Sequence, residues 1–320
     1  MPLFQVTGVT NVKSIFNAAF GIINNECEDG FTWLASQLNA LQVCLGIPPP
    51  NVFITDFEKT LKSALRTIFP YSAQQICIFH ANKNVVLNIK QKWRDPMNPS
   101  GIHPGDQAVA PPMLAEEDDH QIQALNALAS HSRPVHHISA DEVEYSQAGI
   151  YLLWKHMVYA KTEEDYGYAW DLLKMEFRNQ TAILGYLEDH YIPWINEIAH
   201  PFISQNQNFG QRTTSPTESA IRDVKSNLVN GNSTLLKPVQ ILQLMLENKK
   251  KAFEDTITTQ KAQMQHQGQQ EWLGTTAQEV SYKAVDLMIQ QKRIALEALP
   301  SLLGFVFKSC YFGDKKAKGH

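Results

Sequence analysis

Apolar and polar positions along the chain fall into three regimes. Residues 1–93 alternate short apolar runs with turn residues. Segments 2–9 and 14–23 are apolar and turn-bounded, which suits an antiparallel pair of strands. Phe31, Leu34, Leu38, Leu41 and Val43 then recur at near-helical spacing across residues 29–44. NVFIT at 51–55 predicts a strand. A helix follows over about 57–68, with Leu61, Ala64, Leu65 and Ile68 on one face, and QQICIF at 74–79 predicts another strand. The prolines before Asn51 and Pro70 are sharp stops. The predicted order is strand, strand, helix, strand, helix, strand.

Residues 95–148 change character, with Pro96, Pro99, Pro104, Pro111, Pro112 and Pro134 and an acidic run from Glu116 to Asp119. That composition predicts a loop-rich stretch. His131, His136 and His137 lie in or beside it, with no carboxylate or cysteine at ligand spacing. Residues 149–200 read as helices, and Trp154, Tyr159, Trp170, Phe177, Tyr186 and Trp194 read as core. A helix over about 216–229 comes next, then helical stretches at 238–265 and 276–298 and a basic tail.

Composition narrows the classes. A hydrophobic content of 43% with 10% aromatics supports an ordinary packed core. Cys27, Cys44, Cys77 and Cys310 are scattered with no CxxC pair, which argues against a disulfide framework and fits a reducing compartment. No apolar run reaches transmembrane length, and the N-terminus lacks the charged and apolar regions of a signal peptide. The net charge of −4 favours a protein that touches no DNA; the other reading is a main DNA-binding module elsewhere, with only local basic patches here.

Three segments carry candidate chemistry. FITDFEKTLKSAL brings a strand to its end at Asp56, where functional groups of open α/β sheets cluster, although Asp is also a favoured helix N-cap. CIFHANKNV spaces Cys77 and His80 as CxxH; two ligands do not make a zinc site, and packing of a buried cysteine and a helix-start histidine is the plainer reading. RTTSPTESAIRDVKSNL places Ser215, Pro216 and Glu218 as a capping box. Arg222 and Lys225 follow on the face of Glu218, while Ala220, Val224 and Leu228 form a buried face. A carboxylate beside two cations suits a metal with an approaching phosphate, and equally a solvated helix face.

In this order the segments resemble the Mutator-like (MULE) transposases. The resemblance runs through MPLFQVTGVT, AAFGIINNECEDGFTWLASQL, VFITDFEKTLKSAL, FPYSAQQICIFHANKNV and TTSPTESAIRDVKSNL, covering roughly residues 1–95 and 205–230. It implies an α/β, ribonuclease H-like mixed sheet with a large helical insertion and C-terminal helices. The organisation it suggests is a core part at 1–94, a loop-rich then helical insertion at 95–212, a returning core helix at 213–232, and a helical region and tail at 233–320. It implies a DDE triad in which Asp56 is the second acid and Glu218 the third, both ligands of a two-metal Mg²⁺ (or Mn²⁺) site for phosphoryl transfer at DNA ends.

Arg222 and Lys225 are then candidate phosphate contacts, and Cys77 and His80 the family's CxxH element. DNA (transposon ends) as partner, a possible homo-oligomer, no membrane and nuclear localisation follow from the resemblance. The family's first Asp lies on a central strand upstream of MPL, so the expectation is a truncated and catalytically impaired transposase fragment. Phe79 stands where the family has Trp, and Ile221 where it often has His. Cys310 and His320 have no cysteine partners for a downstream zinc module. The rival expectations are a domesticated, non-catalytic nuclear regulator that binds DNA or protein, and a non-catalytic helical interaction protein.

Overall fold

The computed structural model describes residues 3–94, 138–227, 236–262 and 270–312, with side chains in the last helix described as far as residue 297. His131, His136, His137, the acidic run, Leu228 and the C-terminal tail lie outside the described residues. The chain is mixed α/β, mostly helical, with two two-stranded sheets among the described residues. It divides into two compact units, Met1–Leu3 with Gly21–Ser215, and Phe4–Phe20 with Pro216–His320.

In the first unit, helix α1 (Glu28–Cys44) packs on α2 (Lys59–Ile68). Strands β3 (Val52–Thr55) and β4 (Ala73–Ile76) pair in parallel, Val52 against Ala73 through Thr55 against Ile76. A parallel pair needs a crossover, and α2 is that connection. The predicted helix begins two residues late. Phe57 is drawn among the rings of His190, Tyr191 and Trp194, at centroid distances of 5.2, 5.9 and 5.7 Å. Glu58 then caps α2, its carboxylate accepting from the Thr60 N–H at 2.9 Å.

The strand expected over 74–79 is shorter than its apolar run. The ladder ends where the Cys77 N–H donates to the Thr55 carbonyl at 2.8 Å, and the Ala81 N–H already bonds back to the Cys77 carbonyl at 3.0 Å. Residues from Ile78 belong to helix α3 (Ile78–Lys92), whose start the sequence places at His80. A short apolar run cannot distinguish a strand end from a buried helix start. The later spacing of Ala81, Val85, Val86 and Ile89, all buried, carries the helical signal.

Helix α3 packs against α4 (Gln147–Val158) and α6 (Thr181–His190), and α4 against α5 (Glu163–Glu176). These helices form the main core, with Trp154, Phe177, Ile183, Leu187 and Tyr191 at 0% exposure. The Trp154 indole N–H finds the Asn82 carboxamide oxygen at 2.9 Å, so burying the ring leaves no orphaned donor. Ser146 and Thr162 cap α4 and α5, accepting from Gly149 N and Asp165 N at 3.1 and 3.0 Å. Gly149 is required by space: a Cβ there would lie 1.9 Å from the Glu144 carbonyl. The aromatic positions read as core in the sequence are largely core.

In the second unit, β1 (Leu3–Val9) and β2 (Ile15–Ile22) pair across a link too short for a parallel crossover. Lys13 sits in the turn at φ 64°. Helix α8 (Ser215–Asn227), following the short helix α7 (His200–Ile203), packs Val224 against Leu242 and Met245 of α9 (Leu236–Ala262), with Phe20 alongside. The helix expected over 276–298 is two: α10 (Thr276–Glu279) and α11 (Tyr282–Phe312). The break falls at Ser281, whose hydroxyl donates to the Asn11 carbonyl at 2.9 Å and accepts from the Ala284 N–H at 3.3 Å.

Candidate functional site

Each of the three sequence segments contributes to one cluster in the first unit. Asp56 follows directly on β3 and does not cap α2, since Glu58 does. That removes the plain explanation for Asp56. Instead its Oδ1 lies 2.8 Å from His80 Nδ1 in the first turns of α3. Cys77 precedes that helix and is fully buried.

The third segment enters through two residues the sequence reading quotes without assigning a role. The Thr214 N–H and hydroxyl lie 3.2 and 3.3 Å from Cys77 Sγ, and the same hydroxyl lies 3.4 Å from His80 Nδ1. The Arg212 carbonyl accepts from the Ile78 N–H at 2.9 Å. The Arg212 guanidinium donates to the carbonyls of Val158 and Ile198 at 3.1 and 2.8 Å and lies 4.7 Å over the Tyr159 ring. Arg212 thereby fixes this segment to the helical core. No periodicity marks Thr214; only its place in RTTSPTE hints at a role.

The electrostatics follow from these contacts. The hydrogen bond to Asp56, then that to Cys77, raise the His80 pKa to about 10 against the opposing effect of burial, so the ring is an imidazolium at neutral pH. Burial would push the Cys77 thiol up, but hydrogen bonds from His80 and Thr214 outweigh it and hold the thiol below its ordinary value. Its place at the start of a helix acts in the same sense.

Glu218 stands in the first turn of α8, in the second unit, and is half-buried. Ala220 and Val224 of that helix are buried at 1% and 2%, as its pattern predicts. Arg222 and Lys225 are exposed. Lys249 of α9 pairs with Asp223 at 2.9 Å.

By itself the cluster around Asp56 offers a divalent ion a single carboxylate. Such ions take several hard oxygen donors, whereas here one carboxylate, already engaged by an imidazolium, stands beside a thiol. Among the described residues no group of three or more His, Cys, Asp or Glu is arranged to hold an ion.

Comparison with known proteins covers both halves of the chain. Over 318 residues, 94% of the chain, it is 31% identical to the PKS-NRPS hybrid synthetase cheA of Chaetomium globosum. The chain spans 6% of that relative's length. The family model of the MULE transposase domain matches residues 1–84, a stretch that holds Asp56, Cys77 and His80. By that match residues 1–84 are similar to the MULE transposase domain.

Proposed function

We propose that the chain is a ribonuclease H-like, DNA-processing part of a MULE transposase, acting in the nucleus on transposon ends. The observation that carries the reading is the meeting of the FITD, CxxH and RTTSPTE segments through Asp56, His80, Cys77 and Thr214. Parallel pairing of β3 and β4 brings Asp56 and Cys77 to one sheet end, and Thr214 joins them from 137 residues further along the chain. The similarity across 94% of the chain supports treating the later helices as belonging with that domain.

The family's chemistry is phosphoryl transfer, with Asp56 and Glu218 as the acids and Mg²⁺ or Mn²⁺ as the cofactor; for those parts the resemblance is the support. With only the second and third acids of the family's triad assigned here, to Asp56 and Glu218, strand transfer by this chain alone is expected to be weak. DNA contact falls to exposed cations such as Arg222 and Lys225. The test is a mobility-shift assay at low salt beside a Mn²⁺-supported strand-transfer assay. Binding that weakens steeply with salt, with little transfer, is the expected pair. Absence of any DNA affinity at low salt overturns the DNA role, and robust transfer overturns the impaired state.

A second reading, a non-catalytic nuclear regulator or helical interaction protein, is favoured by one observation. Leu236, Val239 and Leu244 of α9 and Leu287, Ile294 and Leu296 of α11 are left exposed. Capture of a protein partner through these helices, without DNA binding, would support it.

A further inference from the structure

A buried cysteine three residues before a histidine has three ordinary uses: to ligate a metal, to act as a nucleophile, or to hold its neighbours in place. The first requires further ligands, and no described group of three or more His, Cys, Asp or Glu is set for an ion. The second requires a substrate to reach the sulfur, and Cys77 is 0% exposed. The third matches what the sulfur does. It receives both donors of Thr214, at 3.2 and 3.3 Å, while His80 directs Nδ1 to Asp56 at 2.8 Å.

We propose that His80 is a positioning residue for the Asp56 carboxylate, and that Cys77 and Thr214 form a latch holding the 212–214 segment against it. The inference deepens the reading of Asp56 as the acid of the site and rests on it for its functional meaning. Backbone bonds brace the latch on both sides. Cys77 N–H bonds to the carbonyl of Thr55, the residue before Asp56, and Ile78 N–H bonds to the carbonyl of Arg212, two residues before Thr214. Strand end, helix start and incoming segment are thus pinned together within a few residues. The Thr214 hydroxyl, near both the sulfur and the imidazole, ties the latch to the positioning residue.

Two measurements test this on the folded chain. In alkylation by iodoacetamide followed by mass spectrometry, exposed Cys27 and Cys44 serve as internal standards for buried Cys77. Cys77 should react far more slowly than either. Thr214→Val should raise its rate about tenfold, a local opening made easier by roughly 1.4 kcal/mol, and Thr214→Ser should restore protection.

The second readout is the imidazole NMR signature of His80. A downfield, slowly exchanging Nδ1 proton should be present in the wild type and lost in Asp56→Ala. The latter removes a side chain that is 61% exposed, so the fold survives the change. A purely packing role for His80 would leave that proton indifferent to Asp56. Unchanged Cys77 protection in Thr214→Val overturns the latch, and a His80 signature unaltered by Asp56→Ala overturns the positioning role. Neither readout uses DNA, so failure of DNA binding would count against the transposase reading and leave this one standing.

Discussion

The helices around Trp154 and the pair α8–α9 solve the same packing problem to different depths. In the first unit Trp154, Phe177, Ile183, Leu187 and Tyr191 are wholly buried, and the Trp154 indole N–H finds its partner in Asn82. In the second, Val224, Leu242 and Met245 gather around Phe20 while Leu236, Val239 and Leu244 of α9 stay exposed. The difference teaches where rigidity is invested. The Asp56 cluster is mounted on the well-packed unit, whereas the helix bearing Glu218, Arg222 and Lys225 rests on a small apolar contact.

The largest way to break the contrast is Trp154→Ala. It removes a fully buried ring together with its bond to Asn82 and should cost about 3–5 kcal/mol. Hydrogen exchange should record lost protection across α3–α6 and little change in α9. Glu197→Ala comes next. It strips the partner from Lys62, whose side chain is 1% exposed, and one partner from Arg66. A buried charge left alone costs about 3 kcal/mol, and Lys62→Met in the same chain should recover much of it. Burial first, against the opposing Glu197 bond, lowers the Lys62 pKa from 10.5. The unfolded chain therefore holds that proton more tightly, and the Lys62 contribution to stability rises with pH up to about 10.5.

Met245→Ala probes the other side of the comparison. Its cluster is small, so a cost of roughly 2 kcal/mol is expected, read as lost exchange protection in α8 and α9 alone. The His80 contribution is smaller and depends on pH. Its raised pKa means that the stability it adds is complete below about pH 6.5 and is lost as pH climbs through about 10. Cys77 tilts the other way, its lowered pKa adding stability as pH rises. Denaturation midpoints of a Cys77→Ala chain with and without His80→Ala isolate the histidine slope. An identical pH dependence in both would rule out the charged pairing with Asp56.

Much of the scaffold was legible in the sequence because it rests on periodicity. The hairpin, α1, β3, α2, α8 and α9 all follow apolar spacing, and Trp154 and Phe177 read as core for the same reason. What escaped depends on contacts between distant segments. The start of helix α3 was placed at His80, two residues late, because CIF continues the apolar run of β4, and the Ile78–Arg212 and Ala81–Cys77 hydrogen bonds begin the helix there. Asp56 as an N-cap was a sound local expectation, displaced by Phe57 docking among three rings and by Glu58 capping in its place. Cys77 and His80 were visible as a motif, but Thr214, the residue that gives the pair its role, lies 137 positions from Cys77 along the chain.

The smallest expected effect on stability concerns Arg222 and Lys225, and it sharpens the comparison most. Both are exposed on α8, opposite the inward-facing Ala220 and Val224. Surface cations of this kind typically change stability by no more than about 0.5 kcal/mol when replaced, so Arg222→Gln and Lys225→Gln should unfold with the wild type. If they meet phosphates, each substitution should lower the slope of log affinity against log salt by about 1, independent of DNA sequence. Equal salt slopes for wild type and the double substitution would mean that this face is merely solvated. The contrast between the two units would then concern packing alone.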